Sequence, residues 1–337
     1  MISRRAFLKA SCAMLLLDYK VKNVVYTVKG KIPATSMGLT LVHEHLLVDF
    51  IGADQISFDR WDRKKVIDKM LPFLLEAKAK GVKTILDCTP MFLGRDVNLL
   101  RDMMERSGIQ ILTNTGYYCA REYIFIPPSA YIESAEQIAE RWINEFKAGI
   151  EGSLIKPSFI KIGVNGGPLS DMEKKIVSAA ALAHLATGLT ICSHTGPSMA
   201  AFEQIDILKR LGVDPSAFVW VHAQGEFKKH TYTEAAKKGA WVSLDGMGWG
   251  GWDNYAQWLD TLKSNNCLHR VLISHDAGWY DPSMDDGGQP KGFTYIFDEL
   301  MTRLNNLNFR KKDINQLLHT NPREAFGIKI RPWAYKS

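Results

Sequence analysis

His43 and His45 stand two residues apart in GLTLVHEHLLVD (residues 38–49), at the end of a short apolar run that reads as a β-strand. Two residues is the side-chain repeat of a strand, so both imidazoles leave one face and can point at one ion. Glu44, between them, faces the other way and reads as structural support. An isolated pair of this kind is more often two ordinary histidines, so the rest of the chain decides. Lys161 lies near the end of the run FIKIG, His194 ends LTICSH, His222 follows FVWV, and Asp276 follows RVLISH. Imidazole and carboxylate are ordinary ligands of zinc-like ions, so this set points to a metal site and to hydrolytic chemistry.

Bringing these residues together requires a particular scaffold. Eight short β-rich runs (39–42, 83–87, 109–113, 158–162, 189–193, 218–221, 241–244 and 271–274) alternate with amphipathic stretches at 63–80, 135–150, 171–187, 233–238 and 291–304. That is the alternation of βα units around a parallel sheet. Eight units in about 300 residues predict an α/β protein of the closed (β/α)8 TIM-barrel class, in which the carboxyl ends of all strands share one mouth. Residues 22–31 alternate as a small N-terminal β-hairpin, with Val24, Tyr26 and Val28 on one side. Near the other end, the run from Thr320 to Glu324 reads as an N-cap, a proline (Pro322) at the first helical position and an acidic third position (Glu324) of a final helix. No linker divides the chain, which reads as a leader over 1–20 and a single hydrolase domain over 21–337.

The chain resembles the phosphotriesterase family of the amidohydrolase superfamily. The resemblance rests on GLTLVHEH (38–45), GRDVNLL (94–100), KIG with Lys161, SHTG with His194 and NPREAF (321–326), in order and spacing, and runs from the hairpin near Val24 to Phe326. It implies a binuclear centre: His43, His45 and Asp276 around one ion, His194 and His222 around the other, and a carbamylated Lys161 (N6-carboxylysine) joining them. Zinc is the first expectation for both ions, with manganese, cobalt or iron as alternatives, and CO2 enters as the carbamate. An ammonium repels cations, but burial and nearby positive charge favour a neutral amine, which can add CO2 to become an anion with two oxygens. Two ions about 3.5–4 Å apart can lower the pKa of a shared water from 15.7 toward about 7. Asp276 would accept its proton as attack proceeds. The implied reaction is hydrolysis of a lactone or carboxylic ester, or alternatively of an organophosphate triester. Lactonase relatives carry an arginine in the loop after the seventh strand; here residues 245–255 hold tryptophans and no arginine. A single-metal hydrolase or deaminase on the same barrel, and a non-catalytic metal-binding barrel, are the competing expectations.

Other residues serve the pocket or the frame. Tyr117 and Tyr118, Trp249 and Trp252, and Trp279 and Tyr280 follow the third, seventh and eighth strands and are candidates for an apolar substrate wall. His275 should point away from the ions, and His184, His230, His269 and His319 read as structural or solvated. Composition is that of a globular protein, 46% hydrophobic and 23% charged, with a formal net charge of +6. The basic residues are scattered, which argues against a nucleic-acid partner; the expected partner is a small-molecule substrate, with a homodimer left open. Five cysteines without CxxC spacing describe neither a zinc knuckle nor a disulfide scaffold. Residues 3–9, SRRAFLK, resemble a twin-arginine signal ahead of an apolar stretch too short to span a bilayer. Export to the periplasm is the expectation they carry, a cytoplasmic chain the alternative.

Overall fold

The computed structural model describes residues 23–334. The leader expectation therefore lies outside the described residues. Among the described residues no helix is long and apolar enough to cross a membrane.

A two-stranded hairpin, β1 (Val24–Thr27) and β2 (Gly30–Pro33), precedes the main sheet. The main strands are β3 (Thr40–Leu47), β4 (Thr84–Asp87), β5 (Gln110–Leu112), β6 (Asn114–Thr115), β7 (Phe159–Gly163), β8 (Thr190–His194), β9 (Phe218–Val221), β10 (Trp241–Leu244), β11 (Val271–Ile273) and β12 (Ala277–Tyr280). Pairing runs β12-β3-β4-β5 in one sheet and β6-β7-β8-β9-β10-β11 in the other, every pair parallel. β5 and β6 are one strand interrupted at Thr113, and β11 and β12 one strand interrupted at residues 274–276. Eight strands thus close into a TIM barrel, with the Asp276 amide donating to the His43 carbonyl at 3.0 Å across the closure.

Helices fill the intervals, and several begin on an explicit capping signal. Asp62 caps Arg63–Ala79, and Ser134 with Gln137 and Ser170 with Glu173 form reciprocal caps on Ala135–Ala148 and Asp171–Thr187. Val97–Ser107, Ser198–Arg210 and Trp252–Ser264 are helices that the apolar periodicity did not single out. Asp96 caps the first of these, while its neighbour Arg95 is buried and paired with Glu145 and Glu151. The GRDVNLL segment is therefore framework.

Two apolar layers result. Val42, Leu86, Leu112, Phe159, Cys192, Val219, Trp241 and Leu272 pack inside the barrel, closed below by Val25, Met37 and Phe326; a larger layer lies between sheet and helices. In the hairpin it is Val25, not Val24 or Tyr26, that is buried against the barrel. The final helix also starts earlier than expected. Thr320 has helical φ/ψ and makes no side-chain cap, and Gln316–Thr320 is a π-helical turn leading into Asn321–Phe326. Pro322 offers no N–H and crowds the preceding turn, which a widened turn accommodates. Asn321 ties this helix to the barrel through the Leu268 and Val271 carbonyls at 2.8 and 2.6 Å.

His184 is a buried structural histidine: Nδ1 donates to the Leu189 carbonyl at 2.8 Å, and Nε2 accepts from the Arg331 amide at 3.0 Å. Burial lowers its pKa from 6.5 to about 4. The unfolded chain takes up this proton near pH 6.5 and the folded chain only near pH 4, so the contribution is complete above 6.5 and is lost as pH falls through that window. A displacement of that size corresponds to about 3 kcal/mol. His184→Ala is expected to flatten the acid limb of stability over this range in urea unfolding curves. An unchanged slope would refute the assignment.

Candidate metal centre

Three ligand-type atoms converge at the top of β3. His43 Nε2 and His45 Nε2 are 3.2 Å apart, and Asp276 Oδ1 lies 3.6 Å from the first and 3.3 Å from the second. The hydrogen-bond network fixes what these atoms carry. His43 Nδ1 faces Asp245 Oδ2 at 3.1 Å, and an ionised carboxylate can only accept, so the ring proton sits on Nδ1. Thr89 Oγ1 donates to the Leu47 carbonyl at 2.8 Å and so accepts from His45 Nδ1, also at 2.8 Å. Both Nε2 atoms therefore present lone pairs to each other and to a carboxylate oxygen. Such an arrangement is repulsive unless a cation lies between. Four ligands at 2.0–2.1 Å in tetrahedral geometry stand about 3.3–3.4 Å apart, which is the spacing observed.

The charge state agrees. Burial lowers the His43 pKa from 6.5 to about 4, so its imidazole is neutral at physiological pH. Burial works against ionisation of the Asp276 carboxyl, but the charge at His222 is the first influence opposing it, and the carboxyl is held well below the usual range.

His194, His222 and Lys161 face the same cavity. The His194 and His222 rings are 4.5 Å apart, and those of His43 and His222 4.9 Å. Lys161 is 2% exposed, and its side chain forms no ion pair or hydrogen bond among the described residues. Asp245 is the residue that sequence reasoning missed. It follows β10, is fully buried, and accepts from His222 Nδ1 at 2.8 Å and the His222 amide at 3.1 Å, as well as from His43. It thereby turns Nε2 of both rings toward the cavity. His43, His222 and Asp245 could be grouped as a metal-binding trio, but both Asp245 oxygens are already engaged by ring N–H groups. Its signal was available: WVSLD places a carboxylate at the same strand-end position at which FVWVH places His222.

Asp276 occupies a left-handed conformation, φ +51°, in the break between β11 and β12. Glu44 holds that break from β3, accepting at Oε1 from Ser274 Oγ (2.7 Å), the His275 amide (3.1 Å) and His275 Nδ1 (2.7 Å), and at Oε2 from the Ala277 amide (3.1 Å). Gly278 permits the close approach, since a Cβ there would sit 1.8 Å from the His45 carbonyl oxygen. The indoles of Trp249 and Trp279 both donate to the Asp276 carbonyl, each at 2.9 Å. Trp249→Phe removes only one of these bonds, and a fall of about tenfold in kcat is expected, the cost of roughly one hydrogen bond. Unaltered kcat would mean that the indole does not position Asp276.

The cavity holds about 210 Å³ and is walled by Phe50, Leu93, Tyr118 and Trp279, with Cys88 below. Of the aromatic candidates, Trp279 lines it, its ring 5.4 Å from that of His45, and Trp249 packs edge-on against Trp279 at 5.6 Å. Three candidates lie elsewhere. Tyr117 turns outward against Phe92 and Trp142, because the bridge from Tyr118 to Gly163 sends Tyr118 inward, its ring 5.0 Å from that of His194. Trp252 is the first residue of a helix, stacked on Tyr295 at 6.1 Å. Tyr280 lines a separate surface cleft with Arg60, Lys69 and Asp286.

The fold and the cluster together define a barrel whose ligand-type side chains stand at the carboxyl ends of the strands. The phosphotriesterase family profile matches residues 23–326, and the chain belongs to that family. It is 29% identical over 293 residues to a phosphotriesterase homology protein of Escherichia coli, covering 86% of this chain and 98% of that one. It is 28% identical over 310 residues to an aryldialkylphosphatase of Saccharolobus solfataricus, covering 89% and 98%. It is 26% identical over 349 residues to an N-acetyltaurine hydrolase of Mus musculus, covering 90% and 98%. The last two are hydrolases by name.

Proposed function

We propose that this chain, over residues 21–337, is a metal-dependent hydrolase with a binuclear centre that directs water onto the carbonyl of a lactone or carboxylic ester. The observation that carries this reading is the convergence of two histidine lone pairs and a carboxylate oxygen at 3.2–3.6 Å. His43, His45 and Asp276 would hold one ion, and His194 and His222 the other, with zinc first among candidates and manganese, cobalt and iron sharing the ligand chemistry. Lys161 would join the two. A buried ammonium without a partner is costly; the neutral amine with CO2 yields an N6-carboxylate and a proton, and so an anion with two donor oxygens. Bound ions of this kind polarise a carbonyl and make water a competent nucleophile near neutral pH. The chain's own groups do the rest. The Asp276 carboxylate receives the proton of the attacking water, Asp245 keeps the His43 and His222 rings oriented, and Phe50, Tyr118 and Trp279 exclude bulk water.

The aryldialkylphosphatase relative supports a second reading, phosphotriester hydrolysis, and the N-acetyltaurine hydrolases admit an amide as the scissile bond. A single-metal enzyme would leave Lys161 without a task, and a non-catalytic metal-binding barrel would use Asp276 as a ligand but would need no proton acceptor beside the ion. The test is a panel of lactones, carboxylic esters, amides and phosphotriesters on protein reconstituted with zinc, manganese or cobalt in bicarbonate, with metal counted per chain. About two ions are expected, with loss of binding and activity in Lys161→Ala. One ion and an active Lys161→Ala would establish the single-metal alternative. Absence of all turnover would establish the binding protein.

A further inference from the structure

Arg121 stands on the rim of the cavity that holds His43, His45, Lys161 and Asp276. Its guanidinium lies 4.7 Å from the centre of the Phe50 ring. It forms no ion pair or side-chain hydrogen bond among the described residues. That sets it apart from Arg60, Arg63, Arg95, Arg141 and Arg303, each of which is paired with a carboxylate.

The backbone that presents it is unusual. Arg121, Glu122 and Tyr123 have φ of +57°, +58° and +65°, three successive side-chain-bearing residues in the left-handed region. Side chains disfavour that region, and such turns persist only where the surroundings enforce them. Here they do: the Arg121 amide donates to Asn165 Oδ1 at 3.2 Å, Tyr123 Oη to Ser170 Oγ at 3.0 Å, and the Ala53 amide to the Ile124 carbonyl at 2.8 Å. Asn165 is itself held by Glu173, through Nδ2 at 2.8 Å. The fold thus fixes the backbone that presents this exposed, unpaired guanidinium at the rim of the candidate centre.

The aromatic wall continues the pattern. Phe50 packs on Trp279 at 5.4 Å and Trp279 on Trp249 at 5.6 Å, with Lys291 Nζ 4.3 Å from the Trp249 ring centre and without an ion pair among the described residues. The wall carries a cation at each end, and among the described residues the only carboxylate lining the cavity is Asp276.

We propose that Arg121 is the specificity determinant of this site and receives a carboxylate of the substrate, so that the preferred substrate is a small acyl compound with an anionic end. This rests on the hydrolase reading above. A planar guanidinium matches a carboxylate through two parallel N–H bonds, and charge-assisted bonds of that kind are worth about 10–100-fold in binding. Lysine supplies the charge without the fork.

The test uses acetyl esters of ω-hydroxy acids with two to four carbons, each matched with its neutral carboxamide, on zinc-reconstituted full-length protein. The anionic member of at least one pair is expected to have the higher kcat/KM. Arg121→Gln should lower the anionic-to-neutral ratio by about 10–100-fold, mainly through KM, and Arg121→Lys should restore part of it. A ratio that does not respond to Arg121, or a wild-type preference for the neutral member in every pair, overturns the proposal. Calorimetric titration with succinate is the arm independent of turnover. Succinate affinity that falls at least tenfold in Arg121→Gln supports the carboxylate site even if no ester is hydrolysed, an outcome that would defeat the hydrolase reading alone. Equal affinity in the two proteins overturns it.

Discussion

Asp276→Asn lowers kcat/KM of the metal-reconstituted protein by about 10²–10⁴-fold on whichever substrate it hydrolyses. The substitution suits the position. Asparagine adopts a left-handed backbone as readily as aspartate, so φ +51° adds no new strain, and the Asp276 carbonyl still accepts from Trp249 and Trp279. What is lost is the negative charge and the proton acceptor at Oδ1, 3.3 Å from His45 Nε2. The check has two parts: steady-state kinetics for the loss, and a thermal midpoint close to wild type to show that the frame is intact. Wild-type rates in a correctly folded Asp276→Asn protein would remove Asp276 from the chemistry and with it the proposed centre.

Asp245→Asn should act on metal retention and stability together. The Asp245 carboxylate accepts from His43 Nδ1, His222 Nδ1, the His222 amide and Gln224 Nε2, the last at 3.3 Å. An amide can present only one acceptor oxygen, so its NH2 would meet one of the two ring N–H groups. That ring must then flip or change tautomer, placing a proton on the Nε2 that faces the cavity. Loss of a partner that orients metal-binding histidines typically costs 10–100-fold in metal affinity. The buried donors left unpaired cost a further ~2–3 kcal/mol of stability. Metal content after dialysis against a chelator, with urea unfolding of the metal-free protein, separates the two effects. Gln224→Ala, which removes the most peripheral partner, should leave most of the metal bound. Full metal retention by Asp245→Asn would show that the rings are oriented by something else.

Much of the frame was legible because it is local. The strands at 218–221 and 241–244 and the helix Asp171–Thr187 coincide with the apolar runs and the helical pattern that predict them. The helix Val97–Ser107 was harder to read, since its start depends on a buried Asp96 that also accepts from the Trp61 indole at 3.0 Å, a contact 35 residues away. The aromatic residues show the same division. Position after a strand nominated Tyr117 and Tyr118 equally, but a single parallel bridge to Gly163 decides that Tyr118 faces the cavity and Tyr117 the outer layer.

β3 shows the limit most clearly. Strict alternation would put Leu41 on the face of His43 and His45, yet Leu41 packs in the outer layer and Val42 inside, because the pairing with β4 shifts register between Leu41 and Glu44. The sequence by itself determined the candidate ligand types, their places at strand ends and the family, since these depend on short-range spacing and residue chemistry. Only the tertiary structure decided that Asp245 bridges two rings, that Glu44 and two indoles hold Asp276 in a left-handed bend, and that Arg121 reaches the cavity unpaired. Those arrangements arise from barrel closure and register, which join residues as far apart as 43 and 245 and leave no periodic trace along the chain.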